Sequence, residues 1–333
     1  MRENLLKRLS IGARNSFRWL GCDRCRCGMN AALLAWACSL LPVPALANAE
    51  TVALRPSADT SLMQNYPSNN FGGNEYFISG TTQNYTTNRA LLKFDVAAAV
   101  PRGSRILAAT LTVDVIGEPA EPGVPSNFAL HRLICDWGEG NKSGHPPQQI
   151  GLGKPATTNE ATWFDRFAFT TDAWSSPGAA RGVDFSTNVS SEAYVYGTDF
   201  SPYLFDTTPQ MVADTQLWLN QPATNFGWLL LTQDETSHFT ARRFASREDT
   251  NRAPILTLDY APPRIDSIVV SSGWVTLRFH VEPGGSNVVQ FSDALNPASW
   301  QTLTNIPPLD ASTDVSVTCP ATNAARCFRL WLP

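Results

Sequence analysis

Two short stretches decide the fold class of this chain: NRALLKFD at residues 88–95 and ATLTVDV at residues 109–115. In ATLTVDV, an apolar side chain occupies every second position, and threonine or aspartate stands between. Successive side chains of a strand point to opposite faces, so this period predicts an antiparallel strand with one buried face. For NRALLKFD we expect a strand that packs one face and presents its charges on the other.

The composition favours sheets over helices. The chain has 333 residues, enough for two domains, one of them with a sizeable core. Its hydrophobic content of 43% is ordinary, whereas 16% charged residues is low. The 10 tryptophans and 24 prolines suit β-sheets joined by long, structured loops.

Residues 1–49 have the features of an export signal. Seven basic residues precede an uncharged apolar run at residues 31–41, and the small-residue sequence ALANA follows at residues 45–49. A basic segment, a short apolar segment and an A-x-A site are typical of a secretory signal peptide. The apolar run is shorter than the roughly 20 residues that span a bilayer. We therefore expect a secreted or periplasmic protein with no transmembrane segment once the signal is removed.

Removal of this segment changes the charge. Residues 1–49 carry seven basic and two acidic side chains, which leaves 18 basic against 27 acidic residues, a formal charge of −9 instead of −4. No basic stripe remains that could neutralise phosphates, so nucleic acid is not an expected partner.

The seven cysteines do not form a disulfide scaffold. Four of them lie within residues 1–49. Cys319 and Cys327 flank the turn-like sequence PATNAAR, and we expect a disulfide between them across a hairpin after export. Cys135 is then expected to be a buried apolar thiol.

Short predicted strands separated by turn-rich segments follow one another up to residue 260. They are residues 51–54, 75–79, 89–96, 109–116, 128–134, 227–232, 239–246 and 255–260. One short helix is predicted at residues 210–220, where Met211, Thr215 and Trp218 fall near a common face. Residues 138–159 and 164–209 lack a periodic apolar pattern, and loops of that length are usually functional or mobile.

Ala261-Pro262-Pro263 predicts a linker, because consecutive prolines cannot continue the hydrogen bonding of a strand. Beyond it, further strands are predicted at residues 274–281, 288–292, 315–318 and 326–331. The expected fold class is therefore all-β. After the signal peptide at residues 1–49 we expect one domain at residues 50–261 and a small β-sandwich of fibronectin/immunoglobulin-like kind at residues 262–333.

Several sequence landmarks between residues 53 and 260 occur together in one family. They are ADTSL (58–62), NNFGGNEYFISG (69–80), NRALLKFD (88–95), PRGSRILAATLTVDV (101–115), LHRLICDWGEG (130–140), ATW (161–163), LWLNQPATNFGWLLL (217–231) and FASREDTNRAPILTLDY (244–260). In their order and spacing they resemble the DNRLRE-domain family, relatives of disaggregatase repeats and of carbohydrate-binding modules attached to polysaccharide lyases. Residues 164–209 depart from that family pattern.

The resemblance implies an antiparallel jelly-roll β-sandwich that serves as a non-catalytic module in secreted enzymes and adhesive proteins. Residues 262–333 are similar to small β-sandwich modules at the ends of exported bacterial proteins of the Verrucomicrobia–Planctomycetes kind. The sequences that carry this second resemblance are VVQFSDALNPASWQTL (288–303) and RCFRL (326–330).

The irregular loops supply candidate sugar-binding residues. Aromatic faces stack on the apolar faces of sugar rings, and such side chains are more exposed on loops than in strands. The candidates are Trp163, Trp174, Tyr194 and Tyr196. Arg243 and Arg247, with their neighbour Arg242, could pair with uronate carboxylates. The alternative is that these arginines brace the strands.

Catalytic and metal-binding signals are weaker. Glycoside hydrolysis needs two carboxylates across a cleft and a lyase needs a base, but none of the available acids and histidines stands in a motif. They are Asp136, Glu139, Glu160, Asp165, Asp234, Glu235, His131, His145 and His238. We predict no catalytic residue and no cofactor other than a structural calcium ion, for which Asp59, Asp95 and Asp259 near strand ends are candidates.

The favoured interpretation is a secreted, non-catalytic module that binds extracellular or cell-surface polysaccharide. Two alternatives remain open. One is a polysaccharide lyase or glycoside hydrolase that uses residues 164–209. The other is a structural surface or adhesion protein without a sugar site.

Overall fold

The computed structural model describes residues 49–119, 123–144, 152–294, 299–322 and 326–333. In these residues the chain consists mainly of antiparallel strands, which confirms the predicted all-β class. Its α-helices are α1 (Val96–Ala99) and α2 (Pro209–Asn220). In the part of the chain that is described, no helix has the length and apolar character needed to cross a membrane. The predicted signal peptide and His145 lie outside the described residues.

Fourteen described strands precede residue 262. They are β1 (Glu50–Leu54), β2 (Ala58–Met63), β3 (Asn69–Asn70), β4 (Tyr76–Thr81), β5 (Thr87–Lys93), β6 (Arg105–Val113), β7 (Val115–Gly117), β8 (Ser126–Leu133), β9 (Lys154–Pro155), β10 (Phe185–Val195), β11 (Tyr203–Phe205), β12 (Trp228–Thr232), β13 (Arg242–Ala245) and β14 (Ile255–Ala261).

These strands form two main sheets. The smaller has the order β1-β14-β6-β11, and the larger has the order β10-β8-β12-β5-β4-β13-β7, with β2 paired to β5. Strands β3 and β9 form a separate short pair. Apolar side chains from both main sheets enclose one core, as in a β-sandwich. The jelly-roll strand order remains a prediction.

The alternating segment at residues 109–116 forms two strands rather than the single predicted one. Val113 pairs with Tyr203 in the smaller sheet, whereas Val115 pairs with Phe244 in the larger sheet. The chain therefore crosses from one sheet to the other at Asp114, and the apolar alternation continues because both sheets face the same core.

Helix α2 packs against this core as predicted. The Thr208 hydroxyl accepts a hydrogen bond from the Met211 backbone N–H at 3.0 Å, and Pro209 occupies the first turn, so the start of the helix is well capped. Trp218 of α2 is fully buried, with its ring centroid 4.5 Å from that of Trp228 in β12. Burial of one such side chain contributes roughly 1.5–3 kcal/mol.

A second apolar cluster covers the other face of the larger sheet. Leu91 of β5 and Leu229 of β12 lie on this face, and the long segment after β8 contributes Trp137, Trp163 and Trp174. Strand β5 is thus buried on both faces, and the prediction that one of its faces presents charges is wrong. Its Arg89 is half-buried beneath the loop and pairs with Glu235 at 2.7 Å.

The strands after residue 262 form two further sheets. These strands are β15 (Ser267–Ser271), β16 (Trp274–Val281), β17 (Asn287–Ser292), β18 (Gln301–Ile306), β19 (Thr313–Pro320) and β20 (Cys327–Trp331). The sheet orders are β15-β16-β19 and β18-β17-β20, and the two sheets enclose a separate apolar cluster that includes Leu277, Phe279 and Val289. No described strand pairs across residue 262.

The described cysteines Cys135, Cys319 and Cys327 are free thiols. Cys319 lies in β19 and Cys327 in β20, which belong to different sheets, so the two cysteines do not face each other across a hairpin. A disulfide between them remains a prediction. Cys135 is half-buried, and burial, reinforced by the nearby Asp184 carboxylate, raises the pKa of its thiol to about 11.

Candidate functional site

Three neighbouring aromatic rings are exposed on one surface. Tyr194 at the end of β10, Tyr196 and Phe200 are 53%, 48% and 65% exposed. The Tyr194 and Tyr196 ring centroids are 5.0 Å apart at an interplanar angle of 72°, and those of Tyr196 and Phe200 are 5.1 Å apart. We call these three residues the aromatic patch. Large exposed apolar groups in contact with one another are a usual mark of a binding surface.

Tyr203 of β11 fixes the backbone beneath the aromatic patch. Its buried hydroxyl accepts hydrogen bonds from the Tyr196 and Gly197 backbone N–H groups at 3.1 and 2.8 Å. The same hydroxyl donates to the Gly197 carbonyl at 2.6 Å. The Tyr203 hydroxyl thus satisfies two backbone N–H groups and one carbonyl of this turn. These hydrogen bonds fix the backbone that carries the exposed rings.

Arg242 of β13 holds the same segment from the other side. Its side chain is buried, and its Nη2 donates to the Tyr196 carbonyl at 2.5 Å and to the Val124 carbonyl at 3.0 Å. Its Nη1 donates to the Phe239 carbonyl at 3.1 Å. Burial lowers the pKa of this guanidinium. These hydrogen bonds make Arg242 a brace between segments that are far apart in the chain.

A polar cavity of about 290 Å³ reaches the backbone segment that carries the aromatic patch, since Arg242 both lines the cavity and binds the Tyr196 carbonyl. Residues of the larger sheet and of the β4–β5 turn line it, among them Gln83, Asn84, Asn88, Glu118 and Arg243. Glu118 also touches the patch segment, since its Oε2 lies 2.5 Å from the position that a Cβ on Gly197 would take. The cavity thus offers amide, carboxylate and guanidinium groups, and its Glu118 lies close to the backbone of Gly197, the residue after Tyr196.

Arg243 brings a positive charge into this cavity. Its guanidinium carbon lies 5.2 Å from the centroid of the Tyr76 ring. Its aliphatic stem packs on Gly117, where a Cβ would approach the Arg243 Cδ to 3.1 Å. The stem is therefore held against the sheet while the half-buried head lines the cavity. Ligand contact by Arg243 remains a prediction.

Trp163 and Trp174 do not belong to this surface, and their prediction as sugar-binding residues is wrong. They are only 7% and 5% exposed and pack in the apolar cluster over the larger sheet. The Trp174 indole N–H donates to the Thr162 carbonyl at 2.9 Å, and the Trp163 ring lies 5.9 Å from the Arg89 guanidinium carbon. They are buried because the loop that carries them covers the sheet.

Arg247 is already paired with acidic side chains. Its Nε lies 2.6 Å from Glu139 Oε1 and 3.0 Å from Glu248 Oε1, and its backbone N–H donates to Asp59 Oδ2 at 2.8 Å. Asp59, Glu139 and Glu248 form what we call the acid cluster. Because Arg247 is already paired with the carboxylates of Glu139 and Glu248, it is a poorer candidate than Arg243 for binding an anionic ligand.

The acid cluster makes stability depend on pH. Burial raises the pKa of Asp59 well above its usual value and raises that of Glu139 to about 6. The folded protein therefore holds protons that the unfolded chain has lost. The resulting stabilisation is complete below about pH 4 and is lost as the pH rises through about 6. We expect the free energy of unfolding to rise by about 1 kcal/mol between pH 7 and pH 5, measured by urea denaturation.

Glu139→Gln should reduce this rise by the share that Glu139 contributes, and Asp59 accounts for what remains; a glutamine oxygen can still accept the Asp59 backbone N–H but does not titrate. Glu192→Gln is the control, since Glu192 is an exposed carboxylate of β10. An equal rise in wild type and Glu139→Gln would contradict the assignment to the acid cluster.

The three candidate calcium ligands are not brought together. Asp95 caps helix α1 by accepting the Ala98 backbone N–H at 3.1 Å, and Asp259 accepts the Thr51 hydroxyl at 2.6 Å. Asp59 is part of the acid cluster. Within the described ranges, no group of three or more acidic, histidine or cysteine side chains is arranged to hold a metal ion.

The other acids considered for catalysis have local partners. The pairs are Asp136 with Lys93, Glu160 with Lys142, Asp165 with Thr162, Asp234 with Ser237 and Glu235 with Arg89. His131 is buried and its Nδ1 contacts the Ser186 and Asn188 carbonyls, each at 3.0 Å, while burial lowers its pKa. His238 packs on the Tyr85 ring.

No known protein-family model and no curated protein matches this chain. The candidate site therefore rests on its own geometry. Its residues Phe200, Asn88 and Glu118 were not among the sequence candidates. Phe200 stands four residues after Tyr196 across a glycine, so clustered aromatics around a turn are a signal that could have found it. Asn88 and Glu118 carry no such signal.

Proposed function

We propose that this protein binds polysaccharide through the aromatic patch and the adjoining polar cavity. The observation that carries this proposal is the mutual packing of three exposed rings, Tyr194, Tyr196 and Phe200, on one surface. Aromatic faces stack on the apolar faces of sugar rings, and polar groups nearby fix the orientation of the hydroxyls. The cavity supplies such groups in Gln83, Asn84 and Asn88.

Two further features support the proposal. Tyr203 and Arg242 hold the patch backbone in place, so little conformational freedom is lost when a ligand binds. Arg243 gives the cavity a guanidinium that favours a polysaccharide with carboxylate or sulfate groups. The predicted export would place the protein where such polysaccharides occur.

Tyr196→Ala tests the patch directly. We expect it to weaken binding at least about tenfold, equivalent to about 1.4 kcal/mol, because Tyr196 contacts both other rings. The measurement is affinity electrophoresis of the purified protein, without its predicted signal peptide, in native gels that contain alginate, pectin, xylan or laminarin.

Phe169→Ala is the matched control, since Phe169 is 77% exposed but belongs neither to the aromatic patch nor to the lining of the cavity. It should leave migration unchanged. Arg243→Gln should weaken retardation by alginate and pectin more than by the neutral glycans. If none of these glycans retards the wild type, or if Phe169→Ala and Tyr196→Ala act equally, the proposal is wrong.

A further inference from the structure

The outer face of the sheet β18-β17-β20 carries a second set of aromatic and polar side chains. Val288 of β17 pairs with Trp331 on one side and with Asn305 on the other. Paired residues of antiparallel strands project to the same face. Val289, the next residue, is fully buried in the core of this sandwich, so Val288 and its two partners lie on the opposite face, where Val288 is only 7% exposed.

The neighbouring row on this face is also polar. Gln290 pairs with Arg329 and with Thr302, and Arg329 Nε donates to Gln290 Oε1 at 2.8 Å. The Arg329 guanidinium carbon lies 4.3 Å from the centroid of the Trp300 ring. The guanidinium of Arg329 thus already interacts with Gln290 and with the Trp300 ring. Trp300 is the second indole close to this face.

The indole ring of Trp331 is exposed to solvent on this face. It is 47% exposed, although tryptophan is a side chain that folded proteins usually bury to a large extent. It lines a hollow of about 460 Å³ whose polar lining is Ser286, Thr302 and Asn305 and whose other lining residues are Val288, Ile306, Pro307 and Pro333. A flat apolar ring thus lies in a hollow with an apolar part and with hydroxyl and amide groups.

We propose that this face is a second glycan-binding site, with Trp331 stacking on a sugar ring and Asn305 and Thr302 bonding its hydroxyl groups. A sugar ring has this amphipathic character, with an apolar face and a polar rim. A protein partner would need a larger desolvated apolar core than one open ring provides. The inference does not depend on the aromatic patch, because the two sites lie on different sheets and share no residue.

Two sites on one chain would act together on a long polysaccharide. Once one site is occupied, the other meets the same ligand at high effective concentration, and the overall affinity exceeds that of either site. The second site therefore predicts that binding to polymers is stronger than binding to short oligosaccharides of the same sugar.

Trp331→Ala in the whole secreted chain tests the site. We expect it to weaken retardation at least about threefold in native gels that contain xylan, laminarin, hydroxyethylcellulose or alginate. Trp274→Ala is the matched control, because Trp274 is 51% exposed in the same sandwich but lies in β16, in the opposite sheet. It should migrate as the wild type does. Circular dichroism and urea denaturation establish that both variants are folded.

A companion measurement separates the two sites. Tyr196→Ala removes the aromatic patch, and in that background Trp331→Ala should abolish the remaining retardation. If Tyr196→Ala has no effect while Trp331→Ala does, the proposed function of the patch fails and the second site stands. If folded Trp331→Ala behaves like Trp274→Ala on every glycan, or if no glycan retards the wild type, the second site is refuted.

Discussion

Trp174→Ala is expected to lower the free energy of unfolding by about 3–5 kcal/mol. The ring is 5% exposed and packs with Phe185 and Leu229 in the cluster over the larger sheet, so its removal leaves a cavity that the surrounding side chains can fill only in part. The Thr162 carbonyl also loses its buried donor. Polysaccharide binding by the protein that remains folded should be unchanged, because Trp174 does not reach the aromatic patch.

Urea denaturation followed by circular dichroism measures the loss. Trp174→Phe retains a ring without the indole N–H and should lose less stability than alanine. Trp274→Ala, at an exposed position, should change stability by less than about 0.5 kcal/mol. The burial of Trp174 in this cluster would be refuted by an alanine variant that is as stable as the wild type but no longer binds polysaccharide.

Arg242→Met is expected to lower the free energy of unfolding by about 3 kcal/mol or more. Methionine keeps much of the apolar stem but provides no donor, so the carbonyls of Tyr196, Val124 and Phe239 lose their partners. A fully buried carbonyl without a donor costs about 1–3 kcal/mol, and these carbonyls are partly buried, so each contributes toward the lower end of that range. Because one of these carbonyls belongs to Tyr196, the aromatic patch should also lose its fixed position and bind polysaccharide less tightly.

The adjacent residue provides the control. Arg243 is half-buried and lines the cavity, so Arg243→Met should cost less than about 1 kcal/mol of stability. Arg242→Lys restores the charge but not the planar set of donors, and we expect it to recover only part of the loss. Equal stability of Arg242→Met and Arg243→Met, measured by urea denaturation, would show that Arg242 is not a brace.

The local pattern of the chain predicted much of the strand content. The predicted strand at residues 274–281 is observed as β16 (Trp274–Val281), and the predicted helix at residues 210–220 is observed as α2, with Met211, Thr215 and Trp218 buried. The strand segment has a strict apolar alternation, and the helical segment has a weaker apolar period. The spacing of apolar residues that marks a strand or a helix involves residues close together in the sequence, so it can be recognised without the structure.

Strand β10 shows where this approach failed. Its sequence FSTNVSSEAYV is rich in serine and threonine, and residues 164–209 around it were interpreted as irregular. The strand lies at the edge of the larger sheet and pairs with β8 through two register shifts. A bulged edge strand has little apolar alternation, because its backbone pairing rather than a buried face holds it in place.

The sequence also identified only some of the residues of the candidate site. Tyr194 and Tyr196 were candidates from sequence and are exposed, whereas Trp163 and Trp174, chosen on the same grounds, are buried. All four stand in segments without periodicity, so nothing local distinguishes them. The difference arises because the loop with the tryptophans folds back over a sheet face that would otherwise expose Leu91 and Leu229.

The sequence by itself determined that this chain forms antiparallel strands, since alternation is a property of adjacent residues. Tertiary structure alone decided which aromatic rings remain open to solvent and which sheet each half of residues 109–116 joins. Those outcomes depend on contacts between segments far apart in the chain, such as Arg242 with Tyr196 and Trp137 with Phe226. The burial of a side chain depends on which segments pack against it, and its neighbours in sequence do not determine those contacts.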